Sequence, residues 1–459
     1  MCFIAVDLGA TFIKGAVIDT QKLCLTDITK VSFPGFIEGL PSSFREVEPA
    51  RIVLAVKTLV SDLLRKSPDC EGLVMCSQMH GLVLTDENGI AISNFISWQD
   101  GRTLLSHPNG HGSYFDVICS RISDRANQIS GSELKPGLPV CTLFWLSEND
   151  QLKPNAIPVS LADFVLSCLC GTTPVTDLTN ASACGAVDLK TMDWNHEILS
   201  NLGLADLQWP EIVEHGRIVG NLEVDGRCIT CYTPVGDQQC ALLGCFLQDG
   251  ELSLNISTGS QVSMVLPELG FGDYQVRPFF DGSFIKTITH IPAGRSLNIL
   301  LKLLCELPRL QNVKIEDPWP YIIAAVDQIK KTDLKIDLSV FQGVYKTKGC
   351  IANIREDNLS VGHLFCAAFH HMSENYYSCA LRLSRKSKWN RIVFSGGIAR
   401  KIEILRKIIV KNFNHVDYRL CDVIDETLVG LSALAFFFSG RTNSIKEGAN
   451  FVRSNFQLQ

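Results

Sequence analysis

The chain begins with two short apolar runs separated by a polar turn. The runs cover residues 4–6 and 13–18, and the turn contains Gly-Ala-Thr, so this pattern predicts a β-hairpin. From Pro49 to Lys66 the apolar residues recur with a helical period, which predicts an amphipathic helix. Residues 73–76 form an apolar run typical of a buried strand. A strand, a helix and a strand in this order indicate an α/β layer architecture.

The second half of the chain repeats this pattern. Two apolar runs at residues 252–256 and 262–266 flank a Ser-Thr-Gly-Ser turn, in the same order as the runs of residues 4–18. The repetition predicts a duplicated domain core, with a boundary between Gly236 and Gly250.

Two further elements are predicted towards the C-terminus. Residues 392–394 form an apolar run that predicts a strand ending at a Ser-Gly-Gly segment, and residues 426–438 predict an apolar helix rich in small residues.

Length and charge narrow the class of protein. The chain has 459 residues, more than one hydrophobic core usually supports, and we expect domains over residues 1–240 and 241–459. The net charge of −6 gives no electrostatic reason to bind nucleic acid or an anionic membrane. No apolar run reaches the roughly 18 residues of a membrane span.

Eighteen cysteines are a high count. Disulfide frameworks chiefly stabilise small secreted domains, and the apolar stretch before Asp7 is too short for a signal peptide. We therefore predict reduced, mostly buried cysteines and a cytoplasmic location. Cys228 and Cys231 have the spacing of a metal-binding pair, but the sequence lacks a second C-x-x-C pair, so a zinc site is not favoured.

The turn of the first hairpin has the composition of a phosphate-binding turn. Gly9 lets backbone N–H groups approach an anion, and Thr11 and Lys14 add a hydroxyl donor and a positive charge. Asp7 can hold a Mg²⁺ ion that bridges phosphates. An ordinary hairpin turn is the alternative.

Two turns in the second half have similar properties. Thr258 and Gly259 follow a predicted strand and mirror the first turn. Gly396 and Gly397 follow a different predicted strand, and their bare backbone can lie against an adenine or a ribose. The sequence has no G-x-x-x-x-G-K-[ST] motif, so a P-loop is excluded.

The order of these motifs resembles that of the FGGY carbohydrate kinases, which belong to the actin-like ATPase superfamily. The most specific segments are Gln-Met-His-Gly at residues 78–81, Ser-Trp-Gln-Asp-Gly-Arg at 97–102 and Gly-Asp-Gln-Gln at 236–239. The resemblance covers essentially the whole chain and is closest to the sedoheptulokinase branch. It implies an α/β fold in which two actin-like (ribonuclease H-like) ATPase domains flank a deep cleft, with sugar on the N-terminal domain and ATP on the C-terminal one.

The resemblance also implies roles for individual residues. Asp237 is the expected general base, which takes a proton from a sugar hydroxyl while ATP supplies a phosphoryl group. A carboxylate suits this task because the loose transition state needs alignment more than a strong base. The other expected site residues are Gln78, Met79, His80, Gly81, Asp100 and Arg102 for the sugar, Gly9, Thr11, Lys14, Thr258, Gly259, Gly294, Gly396 and Gly397 for the nucleotide, and Asp7 with Asp237 for Mg²⁺.

Several of these residues have a structural alternative. Asp100 and Arg102 can form an ion pair that only supports the fold. Trp98 can stack on the apolar face of a sugar or pack in the core. Asp163 matches a family position before a helix, where an N-cap is the alternative.

The nucleotide side departs from the family pattern at four positions. Ala10 and Phe12 replace hydroxyl residues of the first turn, and because backbone donors survive we expect weaker binding, not its loss. Arg295 stands where a small residue is expected, and either crowds the nucleotide or adds a phosphate contact. Lys401 stands near the position of an Asn that faces adenine, which affects base selectivity.

The sequence therefore predicts an ATP-dependent, Mg²⁺-requiring kinase that phosphorylates sedoheptulose at its terminal primary hydroxyl. Xylulose and ribulose are alternative substrates, because one hydroxymethylene is a small difference in recognition. A sugar-binding homologue with weakened catalysis and a metal sensor that uses the cysteines are alternatives from other classes. As partners we expect the ketose and ATP, no nucleic acid and no membrane, in a monomer or homodimer.

Overall fold

The computed structural model describes residues 1–110, 112–341, 348–384 and 388–457. The strands of the first half are β1 Cys2–Leu8, β2 Phe12–Asp19, β3 Cys24–Ser32, β4 Glu46–Val47, β5 Cys70–Ser77, β6 Val83–Thr85, β7 Phe95–Ile96, β8 Ile157–Val159, β9 Thr176–Asp177, β10 Val187–Asp188, β11 Asp193–Trp194, β12 Ile212–Val213, β13 Ile218–Val224, β14 Arg227–Tyr232 and β15 Val235–Gly236. Its helices are α1 Pro49–Lys66, α2 Tyr114–Arg121, α3 Asp124–Ile129, α4 Pro139–Glu148, α5 Leu161–Cys170, α6 Leu178–Ser182, α7 His196–Asn201 and α8 Asp237–Gly244, with a 3₁₀ turn at Arg102–Leu104.

The second half is built in the same style. Its strands are β16 Glu251–Ile256, β17 Ser260–Leu266, β18 Gln275–Pro278, β19 Phe284–Ile291, β20 Lys335–Asp337, β21 Cys350–Ala352, β22 Arg391–Ser395 and β23 Asp417–Leu420. Its helices are α9 Gly294–Leu310, α10 Trp319–Asp327, α11 Val361–Leu383, α12 Gly397–Lys401, α13 Glu403–Asn412, α14 Glu426–Phe438 and α15 Ile445–Asn455.

Two large mixed sheets organise these elements, and five strands of each follow the same order, β3-β2-β1-β5-β14 in the first and β19-β17-β16-β22-β23 in the second. The first has the order β13-β14-β5-β1-β2-β3, with β15 also paired to β5, and the second has the order β18-β19-β17-β16-β22-β23. In each sheet an antiparallel hairpin, β1–β2 or β16–β17, is followed by a parallel strand, β5 or β22, beside its first strand. The duplicated core predicted from the sequence is confirmed.

Helix α1 forms where the helical period of apolar residues predicted it. Its apolar side chains are buried against the first sheet, and Pro49 lies at its start, where the missing N–H costs nothing. Arg65 and Lys66 lie in the last turn, where positive charge stabilises the helix dipole. The structure gives this helix the predicted limits.

Helices α8 and α14 pack against each other between the two sheets. A Cβ atom on Gly244 would lie 1.8 Å from the carbonyl oxygen of Glu426, and one on Gly430 would lie 2.1 Å from that of Cys240. Their backbones are therefore in direct contact, which explains why α14 needs small residues. Their core includes side chains of both sheets, such as Val74 and Val393, so the N-terminus of α8 has a fixed position relative to each sheet.

The structure also bears on two expectations from the sequence, the state of the cysteines and the lack of a membrane-spanning segment. None of the 18 cysteines forms a disulfide bond, all of them lie in the described ranges, and ten are buried. Cys228 and Cys231 share strand β14, where residues three apart point to opposite faces, so they do not form a metal-binding pair. No helix in the described ranges is long and apolar enough to cross a membrane.

Candidate active site

Asp237 is the first residue of helix α8 and directly follows strand β15. The backbone N–H of Gln238 donates to its half-buried carboxylate, and a helix N-terminus favours negative charge. Burial and the nearby charge of Asp7 nevertheless raise the pKa of Asp237 from 3.8 to about 7. A carboxyl group with a pKa near neutrality suits a general base.

Asp7 lies on β1 beside Lys14 of β2 and is connected to the start of α14. Thr427 Oγ1 donates to Asp7 Oδ2 at 2.7 Å. Lys14 Nζ lies 3.9 Å from Asp7 Oδ2 and 2.8 Å from Oδ1 of Asp425. Burial raises the pKa of Asp7. Thr427 and Asp425 were not predicted as site residues, and their position at the start of the predicted apolar helix was the only signal in the sequence.

The two acids fit a divalent cation. Asp7 raises the pKa of Asp237 because their negative charges repel each other, and a cation between such carboxylates would relieve that repulsion. Carboxylate oxygens are the ligands that Mg²⁺ prefers. The donor set of Asp7 and Asp237 therefore fits Mg²⁺.

The first predicted phosphate turn is open to solvent. Ala10, Thr11 and Phe12 are exposed, and a Cβ atom on Gly9 would lie only 2.9 Å from the carbonyl oxygen of Phe12. Gly9 is thus needed for the tight turn. Lys30 Nζ lies 3.5 Å from the centre of the Phe12 ring, so Phe12 makes a cation–π contact at the position where the family pattern has a hydroxyl residue.

The second predicted turn lies beside the start of helix α9. Thr258 and Gly259 are exposed, and a Cβ atom on Gly259 would have no other atom within 4 Å. The backbone N–H of Gly294 donates to the Ser257 carbonyl oxygen at 3.1 Å, and that of Arg295 donates to Thr258 at 2.8 Å. The turn and the helix N-terminus are therefore tied together by backbone hydrogen bonds, with Thr258 and Gly259 exposed beside them.

Gly396 packs against the same turn. Its φ of +88° favours glycine, and a Cβ atom there would lie 2.5 Å from Ser257 Oγ and 2.6 Å from the Ile256 carbonyl oxygen. Gly397, which opens α12, has free space around its Cα. The structure thus brings together the predicted nucleotide residues of the second half.

Arg295 and Lys401, the other two residues that depart from the family pattern, both contact other side chains. The Arg295 guanidinium lies 3.6 Å from the centre of the Phe341 ring. Lys401 Nζ forms an exposed ion pair with Asp317 Oδ2 at 2.9 Å. Arg295 therefore has an aromatic contact that the sequence did not predict.

On the sugar side, His80 has a fixed tautomer. Its Nδ1 lies 2.8 Å from the Ala183 carbonyl oxygen, so Nδ1 carries the proton and Nε2 is an acceptor. Burial and the positive charges of Lys135 and Arg277 hold the pKa of His80 well below its usual range. A neutral His80 in this tautomer can accept a hydrogen bond at Nε2 and cannot donate one there.

The other residues of the 78–81 segment are tightly packed. A Cβ atom on Gly81 would lie 2.3 Å from the Phe95 ring, so the backbone there excludes a side chain. Gln78 and Met79 are buried, and with His80 and Gly81 they line a cavity that is partly open to its surroundings.

A buried ion pair that the sequence did not predict bridges the two halves beside Asp237. Arg277 Nε lies 2.5 Å from Glu133 Oε1, and a second guanidinium nitrogen lies 3.0 Å from Oε2. The third guanidinium nitrogen donates to the side chain of Gln238, the residue after Asp237. The side chains of Arg277 and Glu133 are 5% and 2% exposed, so solvent barely screens the pair.

Lys135 lies next to this pair and next to His80. Its Nζ is 3.4 Å from His80 Nε2 and 3.8 Å from Glu133 Oε2. Burial lowers the pKa of Lys135 from 10.5 to about 8. Sequence patterns do not single out Lys135, Glu133 or Arg277, because these residues lie outside every motif.

Asp100 and Arg102 form a buried hydrogen-bonded network with Glu46 and Arg45. Arg102 donates to Asp100 Oδ1 at 2.8 Å and to Glu46 Oε1 at 2.5 Å, and it lies 4.2 Å from the centre of the Phe44 ring. The backbone N–H of Arg45 donates to Asp100 Oδ2 at 2.7 Å. These contacts favour the structural ion pair over a sugar contact.

Trp98 and Asp163 are the last two residues for which the sequence left a structural alternative open. Trp98 is 38% exposed, so the core-packing alternative is not supported. Asp163 is the third residue of α5, and Ser160 is the N-cap. Asp163 accepts from Ser160 and Thr176 at 2.6 and 2.7 Å, and burial raises its pKa to about 7. Asp163 is therefore not the cap that the sequence offered as its alternative role.

Comparison with known proteins agrees with this geometry. Residues 2–244 match the sequence model of the FGGY family of carbohydrate kinases, N-terminal domain. The chain is 24% identical to sedoheptulokinase of Mus musculus, over 89% of this chain and 92% of that protein.

Solved structures show the same fold. A ligand-bound xylulose kinase from Lactobacillus acidophilus superposes with a TM-score of 0.84 at 18% identity, covering 100% of this chain and 92% of the other. A Plasmodium falciparum glycerol kinase with ADP has a TM-score of 0.83 at 14% identity, with 98% and 92% coverage. The predicted α/β fold of two actin-like domains is confirmed.

Proposed function

The chain belongs to the FGGY family of carbohydrate kinases and is a sugar kinase, and from this premise we propose that it phosphorylates sedoheptulose at its terminal primary hydroxyl with ATP. The observation that carries the proposal is the position of Asp237. It lies at the N-terminus of α8, close enough to Asp7 for their charges to interact, and its neighbour Gln238 is tied to the Glu133–Arg277 bridge.

Asp237 acts as the general base in this proposal. Its carboxylate takes the proton of the sugar hydroxyl as the hydroxyl oxygen bonds to the terminal phosphorus of ATP, and the bond to the leaving ADP oxygen breaks. Asp7 and Asp237 would hold Mg²⁺, which supplies positive charge to the phosphate oxygens when bound. General-base catalysis contributes roughly 10²–10⁴-fold to such reactions.

The nucleotide would lie along the glycine turns. Thr11, Lys14, Thr258 and Gly259 are the proposed phosphate contacts, because they are accessible donors or bare backbone. Gly294, Gly396 and Gly397 form the adjoining surface of the second half, which we assign to the ribose and adenine.

The sugar would lie between Asp237 and the 78–81 segment. His80 Nε2 would accept from one of its hydroxyl groups, and the exposed Trp98 would cover an apolar face of the sugar. Sedoheptulose is favoured over xylulose or ribulose by the near full-length similarity to the mouse sedoheptulokinase. A cytoplasmic location and a monomeric or homodimeric state stay predictions.

An ADP-release assay coupled to NADH oxidation tests the proposal. Sedoheptulose should give the highest kcat/KM among sedoheptulose, xylulose, ribulose and glycerol. Asp237→Asn should lower kcat at least about 100-fold by removing the base. Asp124→Asn is the matched control, because Asp124 is also the first residue of a helix, α3, but is exposed. Near-normal turnover by the Asp237 variant would refute the mechanism, and a higher kcat/KM for another ketose would refute the substrate.

A weakened, sugar-binding homologue is the second candidate, and the observation that favours it is the loss of hydroxyl residues at Ala10 and Phe12. Thermal unfolding with and without Mg-ATP separates the two. An active kinase should be stabilised by millimolar Mg-ATP, and the absence of any shift would favour the weakened homologue.

A further inference from the structure

Lys135 has a positive charge that lacks a carboxylate of its own among the described residues. The nearest acid is Glu133, but Arg277 binds both oxygens of that carboxylate, and Gln275 Nε2 also donates to it at 3.1 Å. At 3.8 Å from Oε2, Lys135 Nζ is beyond normal hydrogen-bond distance. Two cations therefore share this carboxylate, and Lys135 is the one that makes no hydrogen bond to it.

The histidines next to Lys135 do not compensate this charge. His80 is neutral, and its Nε2 accepts at most one of the three N–H groups of Lys135, at 3.4 Å. Desolvation and the charges of Lys135 and Arg277 lower the pKa of His290 to about 4, so it is neutral as well. At least one ammonium N–H group of Lys135 remains free for a ligand.

The loop that carries Lys135 is held at the sugar side of the site. Gly137 has φ +81°, and a Cβ atom there would lie 2.4 Å from the Trp98 carbonyl oxygen. Trp98 and His80 of the 78–81 segment thus both lie next to this loop. The side chain of Lys135 is 23% exposed, so a ligand in the site can reach it.

We propose that Lys135 binds an sp² oxygen of the substrate, the carbonyl of a ketose or the carboxylate of an aldonate. The inference rests on the proposed function and deepens it, because it makes Lys135 the residue that selects oxidised sugars over plain polyols. A hydroxyl group accepts more weakly than a carbonyl or carboxylate oxygen with concentrated negative charge, so a polyol gains less from the ammonium group of Lys135.

The test compares matched ligands in equilibrium binding without ATP, measured by calorimetry. The ligands are sedoheptulose, the heptitol formed by reducing its carbonyl group, and the corresponding seven-carbon aldonate. A hydrogen bond to a charged group is worth about 10- to 150-fold in affinity. Lys135→Met should lose about that factor for its preferred oxidised ligand and less than about 3-fold for the heptitol. The ketose arm and the aldonate arm show which oxygen Lys135 binds.

Two further variants serve as controls. Lys135→Arg keeps the charge and should retain most of the preference for the oxidised ligand. Lys190→Met makes the same change at an exposed lysine and should leave binding unchanged. In kinetics, Lys135→Met should raise KM for the ketose and leave kcat largely unchanged, whereas a general loss of structure would lower the melting temperature.

Equal losses for the heptitol and the oxidised ligands, or no loss for either, would overturn the inference. It would also fall if the wild-type protein bound neither the ketose nor the aldonate. If the wild-type protein binds the ketose through Lys135 but does not phosphorylate it, the proposed function fails and the inference stands, so the two failures are distinguishable.

Discussion

The Glu133–Arg277 bridge allows a sharp test of how the site is held together. Glu133→Gln keeps the shape of the side chain but removes the charge opposite Arg277, which is 5% exposed. Removing one partner of a buried ion pair costs about 3–5 kcal/mol, since the other charge stays buried without compensation. The amide oxygen of the Glu133→Gln variant would still accept one hydrogen bond from Arg277, so we expect a loss of about 3 kcal/mol in the free energy of unfolding.

Chemical unfolding in urea measures this loss directly. Glu211→Gln is the matched control, because Glu211 pairs with Arg217 at 2.7 Å but the two side chains are 61% and 52% exposed. Exposed pairs contribute at most about 1 kcal/mol. Replacing both bridge residues, as in Glu133→Gln with Arg277→Met, should recover part of the loss, since no buried charge is then left unpaired.

The pH dependence adds a second check on the bridge. Arg277 and Lys135 hold the pKa of Glu133 below its ordinary value, so its charge stabilises the folded state above the unfolded pKa of roughly 4.3. That contribution is lost as the pH falls through the lower, folded value. The difference in the free energy of unfolding between wild type and Glu133→Gln should thus be largest near pH 7 and should become smaller in acid. A loss at pH 7 no larger than that of Glu211→Gln would refute the reasoning.

Three other predictions concern the two sides of the cleft. Gly396→Ala should raise KM for ATP at least about 10-fold, because its Cβ would displace the Ser257 turn, whereas Gly440→Ala, with φ +70° and open space around it, should leave KM unchanged. Arg102→Met should cost about 3–5 kcal/mol in urea unfolding, because Asp100 stays buried without its partner. A rise of more than about 10-fold in the sugar KM of the folded Arg102 variant would instead indicate a substrate contact. Ketose affinity should fall as the pH rises through about 8, where Lys135 loses its proton beside Glu133, Arg277, His80 and His290, and in calorimetry this fall should be absent from Lys135→Met.

Local sequence patterns predicted the main helices and hairpins of the fold well. The limits of α1 and α14 follow from apolar periodicity and from an apolar run bounded by polar residues, and the structure reproduces both. The repeated hairpins were visible because each is a local alternation of apolar runs and a glycine turn. Such elements depend on interactions between residues close in sequence, so one sequence contains the information needed.

The candidate site was predictable only where a residue type and a turn carried the signal. The glycine turns were found this way, whereas the role of the acid after Gly236 came from the resemblance to the FGGY carbohydrate kinases. Asp100 and Arg102 look the same in the sequence whether they bind a sugar or each other, and only the buried contacts with Glu46 and Phe44 distinguish the two. Burial, and not residue type, separates a structural ion pair from a binding pair.

The residues that sequence reasoning missed are those paired over long distances. Glu133 and Arg277 are 144 positions apart, in a loop of the first half and a strand of the second, so no periodicity connects them. They meet because α8 and α14 hold the two sheets at a fixed spacing through backbone contacts at Gly244 and Gly430. The charge next to the sugar side therefore depends on packing between the helices that join the two halves. Substitutions in that packing should alter sugar binding without touching a sugar-binding residue.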